Sequence, residues 1–146
     1  MSLSKGIEIH SLTSTKAGMI QFYAPQASNE TMLVKIPPHT IDDMFVHKYQ
    51  TDQLMVVSGN FVLIVLHNGK YEYNFLSDAD PKVVTIPPLV PHLAVQLGEE
   101  ACLVINAVIR HGRAHPSDYR PLKAPFPYDL DRVKQLKFDR SDRMAA

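Results

Sequence analysis

The chain has a single cysteine, Cys102, among its 146 residues. No disulfide can form within it, and the setting of that thiol in the apolar run ACLVINAVI makes it a packed core residue. Net charge is also lacking, since 15 basic and 15 acidic residues cancel. That removes the electrostatic attraction a nucleic-acid or anionic membrane partner needs. No apolar run approaches the roughly 20 residues of a membrane span, and the opening MSLSKGIEIH has no apolar signal core. A cytoplasmic protein with no nucleic-acid and no membrane partner is expected. Repeats and low-complexity tracts are missing, and so is helical periodicity over most of the length. The 45% hydrophobic and 21% charged content is that of a globular protein, and the length suits one domain spanning 1–146.

What is present is a succession of short apolar runs cut by 11 prolines and 6 glycines. Segments 6–11, 18–24, 31–36, 44–50, 52–58, 60–67, 71–76 and 101–109 read as strands, with PKVVTIPP and LAVQL between the last two. FVLIVLH is apolar enough for a strand buried on both faces. Ser58-Gly59-Asn60 is a tight turn, and His67-Asn68-Gly69-Lys70 carries the Asn-Gly pair of a type I′ hairpin. Many short strands with frequent turns predict an all-β sandwich or barrel, occupying about residues 5–110. From 111 to about 144 follow an extended segment rich in Pro and charge and one short helix. In that helix Leu130, Val133 and Leu136 fall near helical spacing behind Asp129 as N-cap. Open sheet edges and a flanking helix predict a homodimer.

Two histidines, His47 and His92, bracket the central block, each at a strand end. Period-two alternation puts His47 and Tyr49 on one face. In a closed barrel that face looks into a cavity where His92 joins them. Beyond the last barrel strand, Arg110, His111, Arg113 and His115 crowd potential cations suited to a diphosphate or carboxylate. A solvated loop paired with Asp118 is the plainer reading of that cluster. Lys48 and Tyr73 complete the candidate ligand contacts, although Tyr71, Tyr73 and Phe75 also make sense as one packed face of a strand. His10, His39 and His67 read as surface residues.

These segments resemble the cupin superfamily, whose first motif spaces a His-x-His pair, a carboxylate and a glycine. Here the motif retains His47 and Gly59, with Tyr49 and Gln53 standing where the second histidine and the carboxylate are expected. Pro87 and His92 match the second motif, in which Leu89 takes the place of the usual glycine. Within the superfamily the chain is similar to the dTDP-4-dehydrorhamnose 3,5-epimerase and dTDP-sugar isomerase branch. The likeness rests on Val46-His47-Lys48-Tyr49-Gln50, on LMVVSG, on Ile86-Pro87-Pro88-Leu89-Val90-Pro91-His92, and on Asp118-Tyr119-Arg120-Pro121 followed by PFPYD.

The resemblance implies a cupin fold, a double-stranded β-helix or jelly-roll barrel. It implies a nucleotide-sugar ligand and metal-independent acid/base proton transfer beside a sugar ketone. The catalytic set it implies is His47 as base, His92 as second cavity histidine, Gln53 in place of the oxyanion-steadying lysine, and Tyr49 standing in for the tyrosine acid. Asp129 is either the orienting carboxylate or only the N-cap. No cofactor is implied. Two other readings remain open: a binding cupin without catalysis, and a metal-dependent enzyme holding a divalent transition metal through His47 and His92.

Overall fold

The structure is a computed structural model that describes residues 6–113 and 116–145. His115 of the cationic cluster lies outside the described residues. The elements run β1 (Glu8–Ser11), β2 (Ser14–Ala17), β3 (Ile20–Tyr23), β4 (Glu30–Ile36), β5 (Thr40–Ile41), β6 (Phe45–Val46) and β7 (Gln50–Ser58). They continue with β8 (Asn60–His67), β9 (Lys70–Ser77), β10 (Lys82–Ile86), β11 (His92–Gln96), β12 (Cys102–Arg110), β13 (Arg120–Pro121) and the helix α1 (Leu130–Ala145). A 3₁₀ turn, Pro116–Asp118, precedes β13.

One sheet has the strand order β1-β10-β7-β12-β4, and the other β13-β6-β11-β8-β9 with β5 also on β11. Every pairing among the described residues is antiparallel. Neighbours in each sheet are mostly distant in sequence, as in a jelly roll. The sheets face each other over Phe61, Leu63, Val65, Val84, Ile86, Cys102 and Val104. Cys102 is fully buried there, as its apolar run predicts.

Strand β8 explains the layering. Its odd residues Phe61, Leu63 and Val65 enter the core between the sheets, whereas Val62 and Ile64 pack outward with Val133 of α1. It is buried on both faces because the helix covers its outer side, and each such aliphatic side chain contributes about 1.5–3 kcal/mol. Tyr71, Tyr73 and Phe75 of β9 join the same outer layer under the helix. α1 begins where expected: Asp129 Oδ1 accepts the Arg132 N–H at 3.0 Å, capping an otherwise orphaned donor. The hairpin of β8 and β9 turns at Asn68 (φ 52°) and Gly69 (φ 77°), both in the left-handed region that a type I′ turn needs. At Gly59 (φ 90°) a Cβ would also come within 3.2 Å of the Cys102 backbone, so glycine is required twice over.

The strands β2, β5 and β13 have no counterpart in the expected set. β5 and β13 are two residues long, too short to show any alternation. β2 is STKA, polar and exposed, and it pairs only by the backbone pattern of its hairpin with β3.

Candidate active site

A cavity of about 740 Å³ opens between the sheets, within the range of small-ligand sites. Its deeper wall is apolar (Val34, Ile36, Leu54, Phe61, Leu63, Ala94, Val104), and its polar side gathers His47, Gln50, Asp52, His92, Asn106, Arg110, Asp118 and Tyr119.

His47 sits in a bend, not in a strand: β6 ends at Val46 and β7 begins at Gln50. Asp118 fastens this bend from the far end of the sequence. Its carboxylate accepts the backbone N–H groups of Lys48 (2.8 Å) and Tyr49 (3.1 Å), while its backbone carbonyl accepts a hydrogen bond from Nδ1 of His47 at 3.0 Å. Burial pushes the Asp118 carboxyl up, but these two amides, Arg120 and the charge of His47 outweigh it and hold it below the ordinary aspartate value.

The bend changes which side chains enter the cavity. Alternation restarts at β7, and its even residues Gln50, Asp52 and Leu54 face inward. Tyr49 is 40% exposed, lies against Gly112 and beneath the Lys48 ammonium, and does not line the cavity. Gln53 points the other way as well, donating to the carbonyls of Ala27 and Ala107, each at 2.9 Å. The structure therefore brings His47 and His92 together but separates Tyr49 and Gln53 from them.

Asp52 stands where those two were expected. It is 4% exposed, with Oδ2 at 3.4 Å from His92 Nε2 and 3.6 Å from His47 Nε2. Its other oxygen is held by two amides: Gln50 Nε2 donates at 2.5 Å and Asn106 Nδ2 at 2.9 Å. Both amides have their orientation fixed from behind. Arg110 Nη1 donates to Gln50 Oε1, and the Gln53 backbone N–H donates to Asn106 Oδ1. Burial alone would raise the Asp52 carboxyl. Hydrogen bonds from His92, Asn106 and Gln50, with the His92 charge, reverse this and leave it below its ordinary value. Asp52 is a fixed carboxylate with one oxygen committed to amides and the other aimed at two imidazoles.

The histidine tautomers follow from their partners. Nδ1 of His92 lies 2.8 Å from the Val90 carbonyl, and Nδ1 of His47 faces the Asp118 carbonyl. A carbonyl only accepts, so each Nδ1 carries a proton; each Nε2 faces the Asp52 carboxylate, donating to it when the ring is an imidazolium and presenting a lone pair when the ring is neutral. These three ligating atoms lie within 4.8 Å of one another. Phe45 packs on both rings, with centroids 4.4 Å from His92 and 5.3 Å from His47, and stacks at 4.5 Å on Tyr119. Tyr119 lines the cavity, and burial with the charges of Asp42 and Asp43 pushes its pKa up. The Asp42 carboxyl is itself pushed up by burial.

Of the proposed ligand contacts, Arg110 alone lines the cavity, and it is paired with Glu30 at 2.7 Å instead of Asp118. Lys48, His111 and Arg113 are exposed outside it. His111 Nε2 meets the Thr51 hydroxyl at 2.7 Å. The Tyr73 hydroxyl accepts the Asp129 N–H at 2.9 Å beneath the helix. Asp129 is thus a cap, and the carboxylate beside the histidines is Asp52. The sequence signal for Asp52 was its place two residues into a strand behind a bend, which alternation counted from His47 does not reveal.

The sequence matches no protein-family profile and no curated protein. Solved structures do match. A dTDP sugar isomerase from Desulfovibrio desulfuricans aligns with a TM-score of 0.68 at 17% identity, over 88% of this chain and 96% of that one. A sugar 3,4-ketoisomerase from Thermoanaerobacterium thermosaccharolyticum, in complex with TDP, aligns at 0.65 and 14% over 89% and 96%. The dTDP-4-dehydrorhamnose 3,5-epimerase from Sulfolobus tokodaii aligns at 0.66 and 16% over 90% of each chain. The chain has the cupin fold that these sugar isomerases and the epimerase share.

Proposed function

We propose that this cupin acts on a nucleotide-linked keto sugar as an epimerase or isomerase, moving a proton at the carbon beside the ketone. The observation that carries this is Asp52 Oδ2 set between the Nε2 atoms of His47 and His92 on the wall of the cavity. The His47 Nε2 lone pair is the base. The Asp118 carbonyl holds its ring in the right tautomer, and Asp52 stabilises the imidazolium that forms. His92 shares the same carboxylate and adjusts how much of its charge His47 feels. Tyr119 replaces Tyr49 as the acid, because it is the cavity phenol, protonated and packed beside the His47 ring. The apolar depth of the cavity shields the developing enolate from water.

The nucleotide-sugar class is supported by the structural neighbours, one of them holding TDP. A homodimer is supported by the hairpin of β2 and β3, where Ile20 is 61% and Phe22 55% exposed. A two-stranded hairpin of this kind is marginal alone, and a second copy would cover it. Among the described residues no helix is long and apolar enough to cross a membrane, and a cytoplasmic setting accords with nucleotide-sugar chemistry.

The test is solvent-deuterium exchange. Incubated in D₂O with TDP-4-keto-6-deoxyglucose, the protein should label the carbon next to the ketone, and His47→Asn should abolish the label. Tight binding of TDP-sugars without exchange would replace this reading with the non-catalytic binding cupin. Sedimentation at micromolar concentration checks the dimer.

A further inference from the structure

The cavity changes character along its strands. On β7 the inward residues run Gln50, Asp52, Leu54, and on β12 they run Arg110, Asn106, Val104. Arg110 stands opposite Gln50 in the ladder, so both strands pass from polar to aliphatic in the same direction. Val34 and Ile36 of β4, Leu63 of β8 and Ala94 of β11 complete the aliphatic wall. Asp52 and Asn106 mark its border, and they are engaged with each other, with Gln50 and with the Gln53 N–H. One inward step beyond Asp52 is about 7 Å along the strand, and the side chain there is Leu54. The other polar liners belong to the margins of the sheets. Lys35 is exposed on edge strand β4, the Thr40 hydroxyl donates to the Pro37 carbonyl at 2.8 Å, and the Asp42 carboxylate accepts the Asp43 N–H at 2.9 Å.

Hydrocarbon is left uncovered on this wall. Val34, Leu54 and Ala94 pack against the core residues Phe61, Leu63 and Val104, yet they are only partly buried. They stay so because the cavity of about 740 Å³ lies against them. Protein interiors are close-packed, and every uncovered methylene forfeits transfer free energy. Filling the space would serve stability alone, and Ala94, the smallest side chain of β11, keeps it open. A hydroxylated ring pressed on this wall would lose its hydration and gain no partner. An alkyl group placed there covers the wall at no such cost.

We propose that the aliphatic wall is a subsite for a hydrocarbon group of the substrate. The ketone end meets His47, and an alkyl or acyl substituent passes Asp52 to lie among Leu54, Ala94 and Val104. The inference rests on the proposed proton transfer for the ketone end. It adds the class of compound: an alkyl- or acyl-bearing keto sugar, not a fully hydroxylated one.

The experiment titrates the ¹⁵N-labelled full chain with methyl ketones from butanone to octanone and follows amide chemical shifts. Affinity should rise about fourfold for each added methylene, the full transfer of that group out of water. The shifts should centre on Leu54, Ala94 and Val104. A terminal hydroxyl on octanone should weaken binding by roughly tenfold or more, since it meets no partner. Ala94→Leu should weaken octanone binding by about tenfold, because the added side chain takes its place. The chain-length series on the unmodified protein depends on no variant folding. Affinity that is flat from butanone to octanone would overturn the proposal. So would equal binding of the hydroxylated ketone, undiminished binding in Ala94→Leu, or shifts confined to the exposed hairpin of β2 and β3. Deuterium exchange separates the two ideas. Chain-length-dependent binding without exchange into TDP-4-keto-6-deoxyglucose sinks only the proposed reaction, and exchange with no chain-length dependence sinks only the subsite.

Discussion

The carboxylate of Asp118 accepts the backbone N–H of Lys48 at 2.8 Å across 70 positions of sequence. With the neighbouring bond to Tyr49 N it ties the 3₁₀ turn Pro116–Asp118 to the bend that carries His47. Because the carboxyl lies below its ordinary value when folded, the sign of the pH effect is set. Its stabilisation is present above the unfolded value of about pH 4 and is lost as pH falls through the lower folded value. Asp118→Ala should remove about 2–3 kcal/mol, the range for a buried hydrogen-bonded charge whose donors are left unpaired, and should flatten the acid limb of a thermal-melt profile. An acid limb as steep in Asp118→Ala as in the wild type would show that the tie does not stabilise the fold.

Asp52→Asn should separate stability from activity. An asparagine keeps an oxygen for Gln50 and Asn106 and turns an NH₂ toward the two Nε2 lone pairs, satisfying acceptors that now face a carboxylate. We expect a melting temperature close to but not above the wild type at neutral pH, the amide contacts offsetting most of the loss of a carboxylate that the fold favours over its neutral form. Deuterium exchange should fall by about 100-fold or more, because the imidazolium loses its counter-charge. A variant that melts well below the wild type would mean that the carboxylate holds the fold together.

The two tyrosines give a sharper comparison. Tyr119 lines the cavity and its ring lies 6.3 Å from that of His47, whereas Tyr49 lies outside against Gly112. Tyr119→Phe should lower the exchange rate by about 10²-fold or more at nearly unchanged KM, as loss of a general acid does. Tyr49→Phe should leave both parameters near the wild type. The opposite pattern in steady-state kinetics would return the acid to Tyr49.

The fold was legible because the signals that make it are local. Asn68-Gly69 demands a type I′ hairpin, FVLIVLH has no polar face to expose, and Asp129 offers a cap just ahead of Leu130, Val133 and Leu136. The histidines were legible too, each next to a strand end. Asp52 was not, for a physical reason: alternation holds only within a continuous strand. The three residues His47, Lys48 and Tyr49 form a bend pinned by a residue 70 positions away, and that tie resets which parity points inward. The cationic cluster misled in the same manner, since the partner of Arg110 is Glu30 on the adjacent edge strand, a contact that no local pattern shows.

Leu89 offers a test on the backbone alone. It stands where the cupin motif carries glycine, and it adopts φ 67° with 62% of its surface exposed. Its N–H donates to the His47 carbonyl at 2.7 Å, so the turn cannot relax without loosening the bend that carries His47. A left-handed conformation costs a non-glycine residue about 1–2 kcal/mol, and the exposed side chain returns little through packing. Leu89→Gly relieves that strain but gives the unfolded chain more freedom, which takes back about 0.5–1 kcal/mol. The net expectation is a gain of roughly 0.5–1 kcal/mol in urea unfolding with exchange activity unchanged. Leu89→Ala keeps the strain and removes only exposed apolar surface, so it should lie within about 0.5 kcal/mol of the wild type. Equal stability of the glycine and alanine variants would show that the strain at this turn is absorbed elsewhere.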